Sequence, residues 1–275
     1  MEDAQEGAGE RVRRGQRRAS ILDPAYSTVE KGLILDIPQQ DELVLRAKAR
    51  MKETQKSSAK TYAQHPWPFL KECVITLDQI TQGERKYPRI DDPFLGCPCA
   101  PGGCENYLHH MVNRWLVNKR FIVPKSRRMV VSWTFVALHY WLARFFPGTA
   151  VAFGSRKEGK NDSEGAAELV RRAWFIHEHV PDTVEPVEAE YNFCRLKFPK
   201  IRSEIIGIAQ GANQLRQYTF TALFMDEMAF WEEAHDTYSA SIPTLEGGGR
   251  FTGVSSAHPG FFKQLAFDNL DGGLV

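Results

Sequence analysis

The sequence has few of the features that mark secreted, membrane-spanning or strongly basic proteins. It has 5 cysteines in 275 residues, unevenly spread, which favours a reducing compartment over a disulfide framework. Its net charge is only +1, so any contact with nucleic acid is expected to be confined to one part of the surface. The first residues include Glu2, Asp3 and Glu6 and no apolar segment, so a signal peptide is not expected.

Long apolar runs are also scarce. The longest, Met129 to Phe146, approaches membrane-spanning length but contains Ser132, Thr134, His139 and Arg144. It also follows a predicted strand and loop. We therefore predict that this run forms a buried helix.

The segment Phe121 to Trp133, FIVPKSRRMVVSW, has the order strand, basic turn, helix that is typical of a phosphate-binding loop. It lacks the glycine and lysine of the standard pattern G-x-x-x-x-G-K-[ST], because Val130 and Val131 occupy those positions. Only Ser132 is in its expected place. Taken alone, the segment is either a chance likeness or a variant loop.

The N-terminal region differs in composition from the rest. Its basic cluster comprises Arg11, Arg13, Arg14, Arg17 and Arg18. The cluster is either a solvated tail or an arm that contacts phosphates. A helix is predicted from Asp41 to Lys60, with Asp41 as its cap. Residues 1–62 are thus predicted to be a tail and helical extension, and residues 63–275 the main domain.

Two further segments have ambiguous roles. Gln79 follows a predicted turn and strand at Trp67 to Leu77 and could contact an adenine edge, or be a surface residue. The Pro/Gly-rich segment Phe94 to His110 contains possible zinc ligands, namely Cys97, Cys99, Cys104 and His109 or His110. Its spacing, C-x-C, is unlike a zinc knuckle, so a surface loop with free thiols is the alternative.

From Phe121 onward, predicted strands and helices alternate, which indicates a parallel α/β sheet. The strands are Arg120–Pro124, Thr149–Ser155, a hairpin around Pro199–Lys200, Thr221–Glu227 and Arg250–Ser256; the helices are Met129–Phe146, Arg156–His179 and one from Pro259. Ligands bind at the carboxyl ends of parallel strands. Lys125, Ser132, Asp226 and Ser255 are expected to meet there.

An acidic pair supports the variant-loop interpretation. Asp226 and Glu227 follow four apolar residues, as in the second half of a P-loop site. There the Asp holds Mg²⁺ together with the loop hydroxyl, here Ser132, and the Glu orients and deprotonates the attacking water. A strand that merely ends in solvent is the alternative.

Since Val131 replaces the usual lysine, a phosphate-binding cation must come from elsewhere. Lys125 is the nearest candidate, and Arg127 or Arg128 could act as an arginine finger. The alternative is a basic surface turn. Arg216 could contact a phosphate or a neighbouring subunit, or be a solvated loop arginine.

Several motifs, in order, resemble the ATPase domain of the large terminase subunit of tailed bacteriophages. They are KSRRMVVSW, GANQLRQYTF, TALFMDEMAFW and GVSSAHPGFF, with CVITLDQI and VAFGSRKEG in support, and they span about Pro66 to Phe262. Some members of that family place the lysine at the start of the loop, as Lys125 is here. The resemblance implies a RecA/ASCE-type P-loop NTPase fold, ATP and Mg²⁺ as ligands, and ATP hydrolysis coupled to DNA movement.

The resemblance also implies roles for single residues. Lys125 would hold phosphates, Arg127 would act on the γ-phosphate, Ser132 and Asp226 would hold Mg²⁺, and Glu227 would activate water. The nucleotide contacts would be Gln79 and the loop residues Lys125, Ser126, Arg127, Arg128, Met129, Val130, Val131 and Ser132. Ser255, Ser256 and Ala257 match the motif that couples hydrolysis to DNA movement, with Arg216 as a further coupling candidate. Val130 departs from the family pattern, which has glycine there.

The expected partners are double-stranded DNA, a portal protein, a small terminase subunit and further copies of the chain in a ring, with no membrane, in the host cytoplasm. Because the chain stops soon after the coupling motif, the family's C-terminal nuclease is not expected in it. The competing hypotheses are another P-loop translocase, such as a helicase, and an inactive docking subunit of a packaging complex.

Overall fold

The computed structural model describes residues 37–77, 83–87 and 103–268. Gln79, Cys97, Cys99 and the N-terminal arginines lie outside these residues. The chain divides into two compact units, residues 1–49 and 50–275, and the domain boundary at residue 62 stays a prediction. Helix α1 spans Ile37–Gln64, so Asp41 lies inside the helix and is not its cap, contrary to the prediction.

The other helices are α2 (Pro66–Cys73), α3 (Tyr107–Val117), α4 (Val131–Phe145), α5 (Gly165–Glu178), α6 (Ala212–Arg216), α7 (Ala234–Glu246) and α8 (Phe261–Phe267). The strands are β1 (Ile75–Leu77), β2 (Glu84–Lys86), β3 (Arg120–Pro124), β4 (Ala150–Ser155), β5 (Glu190–Asn192), β6 (Arg195–Phe198), β7 (Ser203–Ala209), β8 (Ala222–Asp226) and β9 (Arg250–Ser255). Short 3₁₀ turns occur at Pro199–Ile201 and Met228–Phe230.

Seven strands form the central sheet, in the order β3-β9-β8-β4-β7-β6-β5. The first five strands run parallel to one another. Strand β6 pairs antiparallel with β7, and β5 pairs antiparallel with β6. The predicted hairpin is confirmed, since β6 and β7 pair across the Pro199–Ile201 turn. The mostly parallel α/β architecture is therefore as predicted, and β9 lies between the strand that enters the basic turn and the strand that ends in the acidic pair.

Two predicted elements were partly wrong. In the segment Trp67 to Leu77, the predicted strand is confirmed as β1 (Ile75–Leu77), but the residues before it form helix α2 and not a turn. Pro66 suits the first helical turn, and the His65 side chain accepts the N–H of Trp67. The helix predicted from Arg156 begins only at Gly165, whose φ of 60° is left-handed. The apolar face predicted for that helix is buried as expected: Ala166, Leu169, Val170, Ala173 and Ile176.

The longest apolar run forms a buried helix, as predicted. Almost every residue of α4 is buried, and two of its polar side chains contact backbone carbonyls: His139 Nδ1 lies 2.7 Å from Phe135 O, and Arg144 Nη2 donates to Glu185 O at 2.6 Å. His139 Nε2 and Arg144 Nε are buried without a hydrogen-bond partner among the described residues. Among residues 37–77, 83–87 and 103–268, no helix has both the length and the apolar content that crossing a bilayer requires.

Candidate functional site

A cavity of about 780 Å³ lies at the carboxyl edge of the sheet. The turn after β3 and the first residues of α4 form one wall, and the ends of β8 and β9 form a second. Helix α5 contributes a third wall. This is the edge at which the parallel topology predicted that the polar residues would meet.

Lys125 follows β3 directly and lies inside this cavity. Its backbone N–H donates to Ser255 O at 2.9 Å, which ties the start of the turn to the end of β9. Its Nζ donates to Glu227 Oε1 at 2.7 Å, and only 9% of the lysine side chain is exposed, against 41% for the glutamate. The lysine of the variant loop and the acid of the next motif thus form an ion pair.

Ser132 and Asp226 are also in contact, since Ser132 Oγ donates to Asp226 Oδ1 at 3.0 Å. Two neighbouring ligands of an octahedral Mg²⁺, with bonds of about 2.0–2.1 Å, lie about 2.9 Å apart. One hydroxyl and one carboxylate oxygen are also the donors that Mg²⁺ takes beside phosphate. The pair therefore fits a magnesium ion in both spacing and chemistry.

The two neighbouring acids have pKa values shifted in opposite directions. Burial raises the pKa of Asp226, and the charges of Lys125 and Arg172 only partly offset this effect. Burial alone would also raise the pKa of Glu227, but the hydrogen bond and charge of Lys125, with the N–H of Ser256, outweigh it and lower the pKa. Glu227 is therefore ionised at neutral pH, as a general base must be.

The end of β9 contacts Glu227 directly. Ser255 Oγ donates to Glu227 Oε2 at 3.4 Å, and the Ser256 N–H donates to the same oxygen at 3.3 Å. Ser255 Oγ also accepts the N–H of Ala229 at 3.0 Å, and Ser255 is fully buried. A movement of the Glu227 side chain would therefore break or alter the hydrogen bonds that it accepts from Ser255 and Ser256 at the end of β9.

Backbone strain is concentrated around the cavity. Five non-glycine residues of the described ranges have positive φ, and three of them line the cavity: Arg128 (65°), Val130 (58°) and Glu227 (52°). Val130 is the N-cap of α4, with ψ 8°, in the left-handed conformation that glycine adopts most readily. Left-handed geometry in a β-branched residue costs about 1–3 kcal/mol. The loop backbone at Val130 thus has the left-handed conformation that a glycine would be expected to provide.

A glycine outside the motifs shapes the acidic strand. A Cβ on Gly154 of β4 would lie 2.1 Å from Met225 Sδ and 2.7 Å from Trp231 Cη2, so a side chain there would displace one or both of these groups. The indole that occupies this space donates its Nε1–H to Asp226 O at 3.1 Å. Gly154 therefore leaves room for the side chain that holds the end of β8.

Most of the predicted site residues come together in this cavity. Its lining includes Lys125, Arg127, Arg128, Met129, Val130, Val131, Ser132, Asp226, Glu227 and Ser256. Ser126, Ser255, Ala257 and Arg216 are outside the lining, although Ser255 reaches Glu227. Arg216 is exposed at the end of α6. The functional roles of all these residues stay predictions.

The possible zinc ligands are only partly described. Cys104 Sγ accepts a hydrogen bond from Asn113 Nδ2 at 3.4 Å, and His109 Nδ1 accepts the N–H of Glu105 at 3.1 Å. The His109 ring also stacks on Trp67, with centroids 4.5 Å apart. Within the described ranges no three His, Cys, Asp or Glu side chains cluster as metal ligands. Since Cys97 and Cys99 lie outside those ranges, the zinc hypothesis stays untested.

Sequence reasoning missed two residues that line the cavity, Glu168 and Arg172 on α5. Both Nε and Nη2 of Arg172 donate to Glu168 Oε1. Their spacing of four residues on a predicted helix could have suggested the ion pair. Its location in the site depends on the packing of α5 beside α4, which no local pattern reveals.

Solved structures that match this chain include large terminases of bacteriophages. The large terminase of bacteriophage HK97 matches with a TM-score of 0.53 and 12% identity, over 78% of this chain and 43% of that one. The fold is similar to that of a large terminase. The likeness first suggested by the loop and acidic motifs is therefore confirmed at the level of the fold.

Two further terminases also match. The ATPase domain from Thermus phage P74-26 has 18% identity and a TM-score of 0.43, over 58% of this chain and 68% of that one. The large terminase of thermophilic bacteriophage D6E, in complex with ADP, has 14% identity and a TM-score of 0.41, over 57% and 39%. This chain thus spans less than half of the HK97 and D6E chains. No protein-family model and no curated protein sequence matches it.

Proposed function

We propose that the chain is the ATP-hydrolysing motor domain of a phage DNA-packaging terminase. The observation that carries this proposal is the convergence of Lys125, Ser132, Asp226 and Glu227 in one cavity. These side chains supply a phosphate-binding cation, two magnesium ligands and a general base, the set that phosphoryl transfer to water requires.

Lys125 and Glu227 would exchange partners during the reaction. Lys125 Nζ binds the β- and γ-phosphate oxygens, and this contact competes with its ion pair to Glu227. Glu227, with its carboxylate freed, then accepts a proton from the attacking water. Ser132 and Asp226 would hold Mg²⁺, which when bound neutralises charge on the phosphates.

The loop contributes through its backbone and its arginines. Val130 and Arg128, both left-handed, shape the turn that would surround the phosphates, and Arg127 is proposed to contact the γ-phosphate. The absence of glycine was one reason to consider an inactive docking protein. Val130 adopts the left-handed conformation that glycine favours, so the missing glycine does not by itself argue for an inactive protein.

Coupling to DNA is proposed to run through the end of β9. Ser255 and Ser256 both contact Glu227 Oε2, so loss of the γ-phosphate can change their position. Arg216, exposed on α6, is available for a neighbouring copy in a ring. Double-stranded DNA, a portal protein and a small terminase subunit are the proposed partners, and the phage host's cytoplasm the proposed location.

The decisive experiment is a phosphate-release assay on the purified chain, with and without double-stranded DNA. We expect ATP- and Mg²⁺-dependent release that Lys125→Ala abolishes. Lys119→Ala is the matched control, because Lys119 lies exposed just before the opposite end of the same strand. Hydrolysis unaffected by Lys125→Ala would contradict the assignment, and nucleotide binding without hydrolysis would favour a docking subunit. Strand unwinding by the chain alone would favour a helicase.

A further inference from the structure

The wall formed by α5 contains a cation that the roles proposed above do not use. Arg172 lines the cavity, and only 12% of its side chain is exposed. Its Nε donates to Glu168 Oε1 at 3.1 Å, and its Nη2 donates to the same oxygen. Among the described residues, Nη1 has no hydrogen-bond partner. The guanidinium therefore retains donors for a further acceptor.

Arg172 is oriented by packing as well as by its ion pair. Its guanidinium carbon lies 5.3 Å from the ring centroid of Trp133, the residue after the proposed magnesium ligand Ser132. Its charge lowers the pKa of Asp226, against the larger effect of burial. Arg172 thus lies on the side of the cavity that contains the proposed magnesium ligands.

The adjacent arginine has a different environment. Arg171 Nε donates to Asp162 O at 2.9 Å, and Arg171 is not part of the cavity lining. Two identical side chains on one helix therefore differ in whether they face the cavity. Withdrawing a guanidinium from water is costly unless its charge is compensated, and Glu168 supplies that compensation while the cavity holds no ligand. An anion that displaces Glu168 would have to supply the same compensation.

The charges in the cavity suggest what that partner is. The lining carries four cationic side chains, Lys125, Arg127, Arg128 and Arg172, and three anionic ones, Glu168, Asp226 and Glu227. Lys125 is paired with Glu227 in the same way that Arg172 is paired with Glu168. Both cations are thus held by acids of the same cavity, and both can be transferred to a polyanion.

We propose that Arg172 binds the terminal phosphate of a magnesium-bound nucleoside triphosphate, and that Glu168 holds its guanidinium until that ligand enters. The inference rests on the proposed function, because it assigns one more phosphate contact to the same site. An arginine fork suits this role, since two of its N–H groups match two phosphate oxygens. The pairing with Glu168 keeps the guanidinium close to its final position.

The test compares triphosphate with diphosphate binding in Arg172→Gln, which removes the charge and keeps most of the stem. Displacement of a fluorescent ADP analogue, in the presence of Mg²⁺, by ADP and by a non-hydrolysable ATP analogue gives both affinities without turnover. We expect triphosphate affinity to fall about tenfold or more, because one charged hydrogen-bond pair is lost, and diphosphate affinity to change less than about threefold. Arg171→Gln should change neither.

Two more variants separate binding from structure. Arg172→Lys should recover part of the triphosphate affinity, since the charge returns without the fork. Glu168→Gln should bind the triphosphate at least as tightly as the wild type, and weaker binding would contradict its holding role.

Equal weakening for both nucleotides, or none, in Arg172→Gln would overturn the terminal-phosphate assignment. The proposed function would stand in that case as long as the wild type binds and hydrolyses ATP. A wild-type protein that binds neither nucleotide would overturn both.

Discussion

The two main walls of the cavity differ in how completely they are held in place. The strand-end wall comprises Asp226, Glu227 and Ser256. Asp226 is hydrogen-bonded to Ser132, and Glu227 to Lys125 and to the Ser256 N–H. The loop wall, Arg127 to Val130, has exposed arginines and two left-handed residues. The strand-end wall is hydrogen-bonded before any ligand arrives, whereas the loop wall carries exposed cations. Left-handed backbone occurs in both walls, at Glu227 in the first and at Arg128 and Val130 in the second.

This difference has a physical meaning. Groups that act on the reacting atoms work best when their positions are fixed in advance, because no reorganisation is then needed during the reaction. Cations that capture a ligand can remain solvated until it arrives. We therefore expect substitutions in the strand-end wall to affect turnover, and substitutions in the loop wall to affect binding.

The largest expected effect is on turnover. Glu227→Gln should lower the ATP hydrolysis rate at least about a hundredfold, because the general base is lost, while affinity for the nucleotide is retained. Arg127→Gln, in the loop wall, should instead weaken nucleotide affinity. Steady-state kinetics measure turnover, and displacement of a fluorescent ADP analogue by a non-hydrolysable ATP analogue measures triphosphate affinity. Equal effects of the two variants on turnover would remove the distinction between the walls.

The next effect concerns stability at two adjacent valines. Val131→Gly should lower the free energy of unfolding by about 3 kcal/mol, because a buried side chain is lost at the start of α4 and glycine is a poor helix former. Val130→Gly should leave stability unchanged or raise it by up to about 1 kcal/mol, since the left-handed strain is relieved. Urea denaturation measures both.

Val130→Gly is also not expected to abolish hydrolysis. A large loss of stability in this variant, comparable to that of Val131→Gly, would mean that the loop has no strain to release.

A smaller effect distinguishes the acids within the strand-end wall. Because burial raises the pKa of Asp226 in the folded state, its ionised form destabilises the fold at neutral pH. Asp226→Asn should therefore be more stable than the wild type at pH 7, although Mg²⁺-dependent hydrolysis is lost. The difference should disappear below the usual pKa of an aspartate, where both states are protonated. Lower stability at pH 7 would contradict the raised pKa.

The smallest effect is the pH dependence contributed by Glu227. Its pKa is lowered in the folded state, so the stability it contributes is present above the usual glutamate range and lost as pH falls through the folded pKa. In Lys125→Met this loss should begin at higher pH, because the first partner that lowers the pKa is gone. Thermal unfolding between acid and neutral pH tests this, and an unchanged profile would argue against the ion pair.

Much of the site was predictable because it is encoded locally. The acids after β8 and the basic turn after β3 each follow an apolar run, and parallel topology then brings them to one edge. The conformation of Val130 was not predictable, since a valine gives no indication of positive φ. The sequence order likewise did not reveal Arg172, because the pairing of α5 with α4 is a tertiary contact.

Helix α2 is a further case in which local sequence preference did not predict the structure. Its aromatic and proline-rich sequence suggested a turn before the strand that is confirmed as β1, whereas Pro66, Trp67, Phe69 and Leu70 are all buried on a short helix. Burial against the rest of the core outweighs the local preference.

The tip of the Trp231 indole lies where a side chain at position 154 would be, although 77 positions separate the two residues in the sequence. A larger residue at position 154 would meet Met225 Sδ first and the indole of Trp231 next, so one or both of these side chains would have to change. A smaller residue at position 231 would remove the indole donor of the Asp226 carbonyl. In related sequences a change at position 154 is therefore expected to accompany a change at position 225 or 231. Amino-acid substitution is thus restricted at positions that do not contact the proposed ligand.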